Sequence, residues 1–237
     1  MLLGISGLAG SGKDAAANFL VEEYGFTKVA LADPLKRIAR YVYAFTDEQL
    51  WGPSHFRNAP DERYPRPCRR TGFDSGGASS AGVWGKPHDS CPDCHGTQTT
   101  YLAPREVLQR LGTEFGRECY PDTWVDLCIR TAKELLADKE ARYDQKHGRY
   151  RSTGDAHSVL GVAVPDVRFL NEVLAIKQAG GKVIRISRPG AGLDGAGALH
   201  VSETEQAGLP DSMFDQVIQN TGTLEDLRAA VQAFLSA

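Results

Sequence analysis

The segment that most constrains this chain lies near its start, Gly7-Leu8-Ala9-Gly10-Ser11-Gly12-Lys13-Asp14, a G-x-x-x-x-G-K loop. It follows a short apolar run, Leu2 to Ser6, that reads as a buried strand. It precedes a stretch from Lys13 to Glu23 in which Ala15, Ala16, Phe19 and Leu20 recur with helical periodicity. Strand, glycine-rich turn and helix in that order make a cradle for phosphate. Glycine lets the backbone close tightly, so that successive N–H groups face inward. The helix adds the positive end of its dipole, and Lys13 a mobile cation for β- and γ-phosphates. Gly10, Ser11, Gly12, Lys13, Asp14 and Ala15 are therefore the expected contacts to a nucleoside triphosphate.

One position departs from the general pattern. The hydroxyl residue that usually ligates magnesium is replaced by Asp14, followed by Ala15 and Ala16. Asp14 either holds the metal, directly or through water, or simply starts the helix favourably. The sequence leaves both open, and the missing hydroxyl tilts against switch-type ATPases and GTPases.

Further apolar runs at Thr27–Leu31, Val159–Val164, Lys182–Ile186 and Phe214–Ile218 read as strands. Helices are expected from Asp33-Pro34 through Tyr41, from Pro104 through Phe115, from Pro121 through Leu136, over Phe169–Ala179 and over Thr223–Leu235. Thr46 and Gln49 have capping-box spacing before Leu50 and Trp51. Strands alternating with helices predict an α/β fold: a P-loop NTPase-type, mostly parallel sheet with helices on both faces. A length of 237 residues suits one such domain over 1–237. From 52 to 100 the pattern dissolves into Pro, Gly, Ser and Arg, which reads as a small polar insert. The basic stretch 142–151, with Arg142, Arg149 and Arg151, has the composition of a lid or of a solvated loop.

Several stretches, in order, resemble the bacteriophage-type deoxynucleoside monophosphate kinases. They are Ser11-Gly12-Lys13-Asp14, Leu31-Ala32-Asp33-Pro34-Leu35-Lys36, Leu108-Gln109-Arg110-Leu111-Gly112-Thr113-Glu114, Val164-Pro165-Asp166-Val167-Arg168, Arg188-Pro189-Gly190 and Asn220-Thr221-Gly222-Thr223-Leu224-Glu225. The set spans nearly the whole chain apart from the insert. The resemblance implies that ATP, with Mg2+, phosphorylates a deoxynucleoside monophosphate to its diphosphate. It implies that Leu35, Lys36, Arg57, Arg105, Gly112, Thr113, Trp124 and Arg168 serve the acceptor nucleotide. Lys13, Asp166 and Arg168 would serve the transfer itself, and Arg188 with the Asn220–Leu224 stretch would lie near adenine. Arginines suit two repelling anions because the guanidinium fork grips paired oxygens and stays charged. Other readings are a P-loop kinase of another phosphorylated small molecule, and a non-catalytic nucleotide-binding module.

Five cysteines, an odd number without an export signal, argue against a disulfide framework. Cys119 and Cys128 fall in helical patterns as core residues or free thiols. Cys91-Pro92-Asp93-Cys94-His95-Gly96 looks like half of a zinc site, with Cys68 a third ligand and His88 or His95 a fourth. The alternative is a loop with incidental thiols. A net charge of -3 makes nucleic acid an unfavoured partner and leaves small nucleotides as the expected ones. No run of about 18 apolar residues is present, so no membrane span is expected. The start of the chain lacks a basic leader, which predicts a cytoplasmic protein, in the host cytoplasm if it is viral. The sequence leaves the choice between monomer and homodimer open.

Overall fold

The computed structural model describes residues 1–68, 91–137, 159–192, 205–206 and 208–236, and the backbone alone of 141–144 and 149–152. The chain runs β1 (Leu2–Ser6), α1 (Lys13–Tyr24), β2 (Phe26–Lys28), α2 (Asp33–Tyr43), α3 (Asp47–Trp51), α4 (Ser54–Asn58), β3 (Asp61–Pro67) and β4 (Thr99–Leu102). It continues with α5 (Pro104–Arg110), a π-helix (Leu111–Arg117), α6 (Thr123–Ala137), β5 (Ala141–Asp144), β6 (Arg149–Ser152) and β7 (Gly161–Val167). Last come α7 (Leu170–Gln178), β8 (Lys182–Ser187), β9 (Gln216–Gln219) and α8 (Leu224–Leu235). Two compact units result, Met1–Asp33 with Gly116–Ala237, and Pro34–Phe115.

The first unit is built on a five-stranded sheet in the order β2-β7-β1-β8-β9. Every neighbouring pair is parallel. Successive side chains point to opposite faces, as the pleat requires, and both faces are covered. Leu2, Val162, Val164 and Val183 face one way, onto Cys128, Ala132 and Leu135 of α6 and Val173 and Ile176 of α7. Leu3, Ile5, Ala163, Ile184 and Ile186 face the other way, onto Ala16, Ala17 and Leu20 of α1 and Leu227 and Val231 of α8. The α/β sheet with helices on both faces is as the sequence predicts.

Details differ from the expectation in three places. The strand expected to end at Val164 continues through Pro165 and Asp166 to Val167. Regular structure reaches further into the stretch 52–100 than its polar composition suggests, since α4 and β3 both lie there. The helix from Pro104 widens at Leu111 into the π-helix, which shifts its phase, and Phe115 is consequently exposed rather than core.

In the second unit β3 pairs antiparallel with β4. Its small core holds Ala39, Phe45, Leu50 and Val107, joined by Tyr43 and Tyr64. The expected capping box is present: Gln49 donates its N–H to Thr46 Oγ1 at 3.2 Å, and Thr46 its N–H to Gln49 Oε1 at 2.9 Å. Of the stretch 142–151, residues 142–144 lie on β5 and 149–151 on β6, which pair antiparallel in the first unit, and the rest lie outside the described residues. Among the described residues no helix is long and apolar enough to cross a membrane.

Candidate phosphate site

In the first unit β1 lies between β7 and β8, and the strand order reverses about it. Open parallel sheets form a crevice beyond the strand C-termini at such a point. The loop 7–14 leaves β1 there. Its inner hydrogen bonds run from Ser11 N–H to Leu8 O at 3.1 Å and from Ala16 N–H to Gly12 O at 3.0 Å. Gly12 has φ +102°, and a Cβ there would sit 2.6 Å from Asn220 Nδ2, so only glycine fits. Gly7 is hemmed in by Ser11 Oγ and by the Ile186 carbonyl oxygen, 2.7 Å from where a Cβ would stand.

Two amide side chains fix the loop from opposite ends. Asn220, just past β9, donates Nδ2–H to Ser11 O at 2.7 Å. Gln206 donates from Nε2 to Gly7 O at 3.1 Å, with Ser6 Oγ at 3.2 Å and Val167 O at 3.0 Å also in reach. Both residues are buried. Asn220 belongs to a quoted motif, but its hold on the loop does not follow from the motif. Gln206 has no sequence signal at all, because a single buried glutamine breaks no periodicity.

Lys13, the first residue of α1, is buried, with its Nζ 3.6 Å from Asp166 Oδ1 and 3.9 Å from Asp14 Oδ2. Arg168 Nη2 lies 2.9 Å from the other Asp166 oxygen. Asp166 owes its position to a bulge. Along β7, Pro165 pairs with Ile5 and Val167 with Ser6, so Asp166 is the extra residue, and it takes φ +68°. A non-glycine residue at positive φ is held there by its surroundings. Burial disfavours the Asp166 carboxylate, yet the charges of Arg168 and Lys13 outweigh it and hold its pKa below the usual 3.8. Its Oδ1 is buried and has no hydrogen-bond partner among the described residues, and neither has Ser11 Oγ.

Glu172, on the first turn of α7, orders the segment that carries Arg168. It is buried, accepts the N–H of Arg168 at 2.7 Å and of Phe169 at 3.1 Å, and meets Arg117 at 2.5 Å. Arg117 lies in turn 3.6 Å over the Phe169 ring. Burial raises the Glu172 pKa despite the backbone N–H of Arg168, the charge of Arg117 and the N–H of Phe169. The glutamate three residues after the start of a helix is a cap signal that the sequence reading passed over.

Beside the loop lies a cavity of about 170 Å³ lined by Gly7, Leu8, Ser11, Ile186, Ser187 and Arg188, among others. Arg188, expected near adenine, is one of the residues lining this cavity. Asp14 is exposed on the first turn of α1.

The remaining expected residues divide between the units. Trp124 is buried in the first unit, its indole against Gly116, whose missing side chain makes the room. In the second unit Leu35 is buried, next to Gly112. Lys36 Nζ lies 5.6 Å over the Trp51 ring. Arg57 donates to Gly52 O at 2.6 Å and to Ser54 Oγ at 3.2 Å, and Arg105 donates to Asn58 Oδ1. Thr113 is exposed on the π-helix. Lys13, Asp166 and Arg168 form one cluster, and Leu35 and Gly112 meet in the other unit.

Cys68, Cys91 and Cys94 are buried together, their sulfurs within 4.8 Å of one another. His95 is exposed and outside that group, and His88 lies outside the described residues. Cys128 is core, its thiol pushed up to about 12 by burial, while Cys119 is exposed.

No family model matches the chain. It is 28% identical over 233 residues to a protein of Acanthamoeba polyphaga mimivirus that carries deoxynucleotide monophosphate kinase as a provisional name, covering 98% of this chain and 94% of that one. It is 25% identical over 260 residues to the deoxynucleotide monophosphate kinase of Enterobacteria phage T4, covering 98% and 97%. Among solved structures, TT1252 from Thermus thermophilus covers 100% of this chain, with 96% of its own length matched, at 17% identity and a TM-score of 0.44, too low to carry an argument. The likeness read from the ordered motifs therefore extends end to end, and the chain is a relative of these two viral proteins named for deoxynucleotide monophosphate kinase activity.

Proposed function

We propose that this protein transfers the γ-phosphoryl group of ATP to a deoxynucleoside monophosphate, giving ADP and the diphosphate. The observation that carries the reading is the Lys13–Asp166–Arg168 cluster at the strand-end crevice, beside a loop that only glycine can close. The near full-length likeness to two viral proteins of that name supports it.

The acceptor is a phosphate oxygen, already largely ionised near neutral pH because the second phosphate pKa is about 6. No side chain need remove its proton. Asp166 agrees with this, for a carboxylate with a lowered pKa is a poor base. Its part is electrostatic: it holds Lys13 and Arg168 as two cations facing the crevice, and they offset charge on the transferring group. Mg2+ would screen the triphosphate when bound. Asp166 and Asp14 fit it as outer ligands through water, since Asp166 Oδ1 is buried without a hydrogen bond and Asp14 is exposed beside Lys13. Leu35, Lys36, Arg57, Arg105, Gly112, Thr113 and Trp124 would receive the acceptor. A zinc ion at the cysteine cluster would be structural, because nothing in the transfer needs it.

The test is a coupled assay with ATP and a panel of deoxynucleoside monophosphates. Turnover of one or more is expected. ATP binding with no acceptor turned over would defeat the reading.

A further inference from the structure

We propose that Cys68, Cys91 and Cys94 hold a zinc ion that clasps the loop end of the β3–β4 hairpin and thereby steadies the second unit.

Three observations point the same way. The first is geometric. Four-coordinate zinc with Zn–S bonds of about 2.3 Å spaces its sulfurs about 3.8 Å apart by simple tetrahedral geometry. Cys68 Sγ and Cys91 Sγ are 3.8 Å apart, and all three sulfurs lie within 4.8 Å of each other. Small rotamer shifts complete the set. The same separation is far beyond the 2.05 Å of a disulfide, and none of the three cysteines is in one.

The second is the composition of the cluster. These cysteines are 0%, 5% and 4% exposed, and among the described residues they form a buried cluster of their own. Three thiols are too little apolar surface to order a turn by themselves, whereas metal binding supplies folding energy directly.

The third is how the backbone receives them. Cys68 follows β3 and extends its ladder by one rung, its N–H donating to Gln98 O at 2.8 Å. Across the hairpin, Cys91 and Cys94 stand on a tight turn in which His95 donates its N–H to Cys91 O at 2.8 Å and Thr97 its N–H to Cys94 O at 2.9 Å. The backbone N–H groups of Cys94 and Asp93 are also directed at the Cys91 sulfur, the kind of support that orients a metal ligand. His95, Gly96 and Gln98 all take positive φ, so this turn needs something to hold it.

The consequence reaches the acceptor side of the proposed reaction. Arg66 of β3 grips Glu106 of α5 through both oxygens, and Arg105 of the same helix bonds Asn58 of α4. Loosening the hairpin therefore loosens the elements that carry Arg57 and Arg105. This step rests on the kinase reading; the metal site itself does not.

The experiment uses the full chain purified under reducing conditions with no added metal. Elemental analysis should find about one zinc per chain. A mercurial that caps thiols should release it, and cobalt exchanged into the site should show thiolate-to-metal absorption of the strength given by three sulfurs. Cys68→Ser and Cys94→Ser should lose zinc by more than the roughly 10- to 100-fold that removal of a supporting contact costs. Cys119→Ser should retain it. In the wild type, removal of zinc by a chelator, followed by removal of the chelator and restoration of Mg2+, should raise KM for the monophosphate several-fold and leave KM for ATP unchanged. Absence of both zinc and a cobalt–thiolate band in the wild type would overturn the site, whatever the variants do. Zinc present without acceptor turnover would leave the site standing and count against the kinase reading alone.

Discussion

The strand that feeds the phosphate loop and the hairpin of the second unit are both short, but they are held by opposite means. Every residue of β1 is buried, with apolar layers on both of its faces. β3 buries only its first residue well; Tyr64 packs on the small core, and ion pairs join Asp61 to Arg63 at 2.7 Å and Arg66 to Glu106. Among the described residues of the hairpin beyond Pro67, the buried ones are the three cysteines. Apolar burial is worth about 25 cal/mol per Å² and is largely indifferent to salt. Partly exposed ion pairs contribute about 0 to 1 kcal/mol and are screened. The first region is therefore fixed by the fold, while the second depends on its conditions.

The sharpest way to break this comparison is at Lys13. Lys13→Ala should lower kcat by about 10³-fold or more while the melting temperature stays near that of the wild type, since the sheet does not need the ammonium group. Single-turnover kinetics with circular dichroism would check both halves. A folded variant with near-normal turnover would remove the loop from catalysis.

Asp166→Asn should follow, with kcat lowered about 10- to 100-fold, the rate equivalent of a charge-assisted hydrogen bond of roughly 1.5–3 kcal/mol. The pH dependence separates its roles. A carboxylate whose folded pKa is lowered stabilises the fold above its unfolded value of 3.8, and that stability is lost only as pH falls through the folded value. Asp166 is thus fully ionised between pH 5 and 8. The pH–rate profiles of wild type and variant should have the same shape there; a limb that vanished in the variant would make Asp166 the base.

What the sequence shows and what it hides divide along the same line. The loop, its strand and its helix were legible because burial and backbone geometry write local signals: a short unbroken apolar run in β1, a helical stripe after Lys13, glycine where φ must be positive. Lys13, Asp166 and Arg168 were legible through motifs. The bulge that turns Asp166 toward Lys13 was not, because one unpaired residue in a strand leaves no pattern. Gln206 was missed for a related reason: it satisfies backbone groups distant in sequence, and local spacing carries no record of such contacts, whereas Glu172 caps its own helix by bonding the Arg168 and Phe169 N–H groups four and three residues before it. In the hairpin, Cys68, Cys91 and Cys94 were readable by residue type, but β3 itself, with alternation between charged and half-buried residues and two prolines, was not.

Gln206 offers a finer test of the first region. Gln206→Leu removes the donor shared by Ser6, Gly7 and Val167 and leaves buried acceptors unmet, at about 1 to 3 kcal/mol. Stability should fall by that amount, and KM for ATP should rise roughly fivefold, about 1 kcal/mol, as the loop loses its anchor. Denaturant melts and ATP titration measure the two. An unchanged KM for ATP would mean that Asn220 alone sets the loop.

The smallest expected effect tests the other region. Arg66→Lys keeps the charge but cannot span both Glu106 oxygens, which Arg66 reaches from a partly exposed position. The hairpin should become less stable by only about 0.2 to 1 kcal/mol at low salt. Because the pair is screened, that difference should shrink toward zero near 1 M salt, where the Debye length is about 3 Å. Hydrogen exchange reads this locally: the Cys68 amide, bonded to Gln98, should exchange faster in the variant, while amides of β1 and α1 are unaffected. Faster exchange in β1 of equal size would show that the two regions open as one, and that the contrast between an apolar and an ionic scaffold has no energetic meaning here.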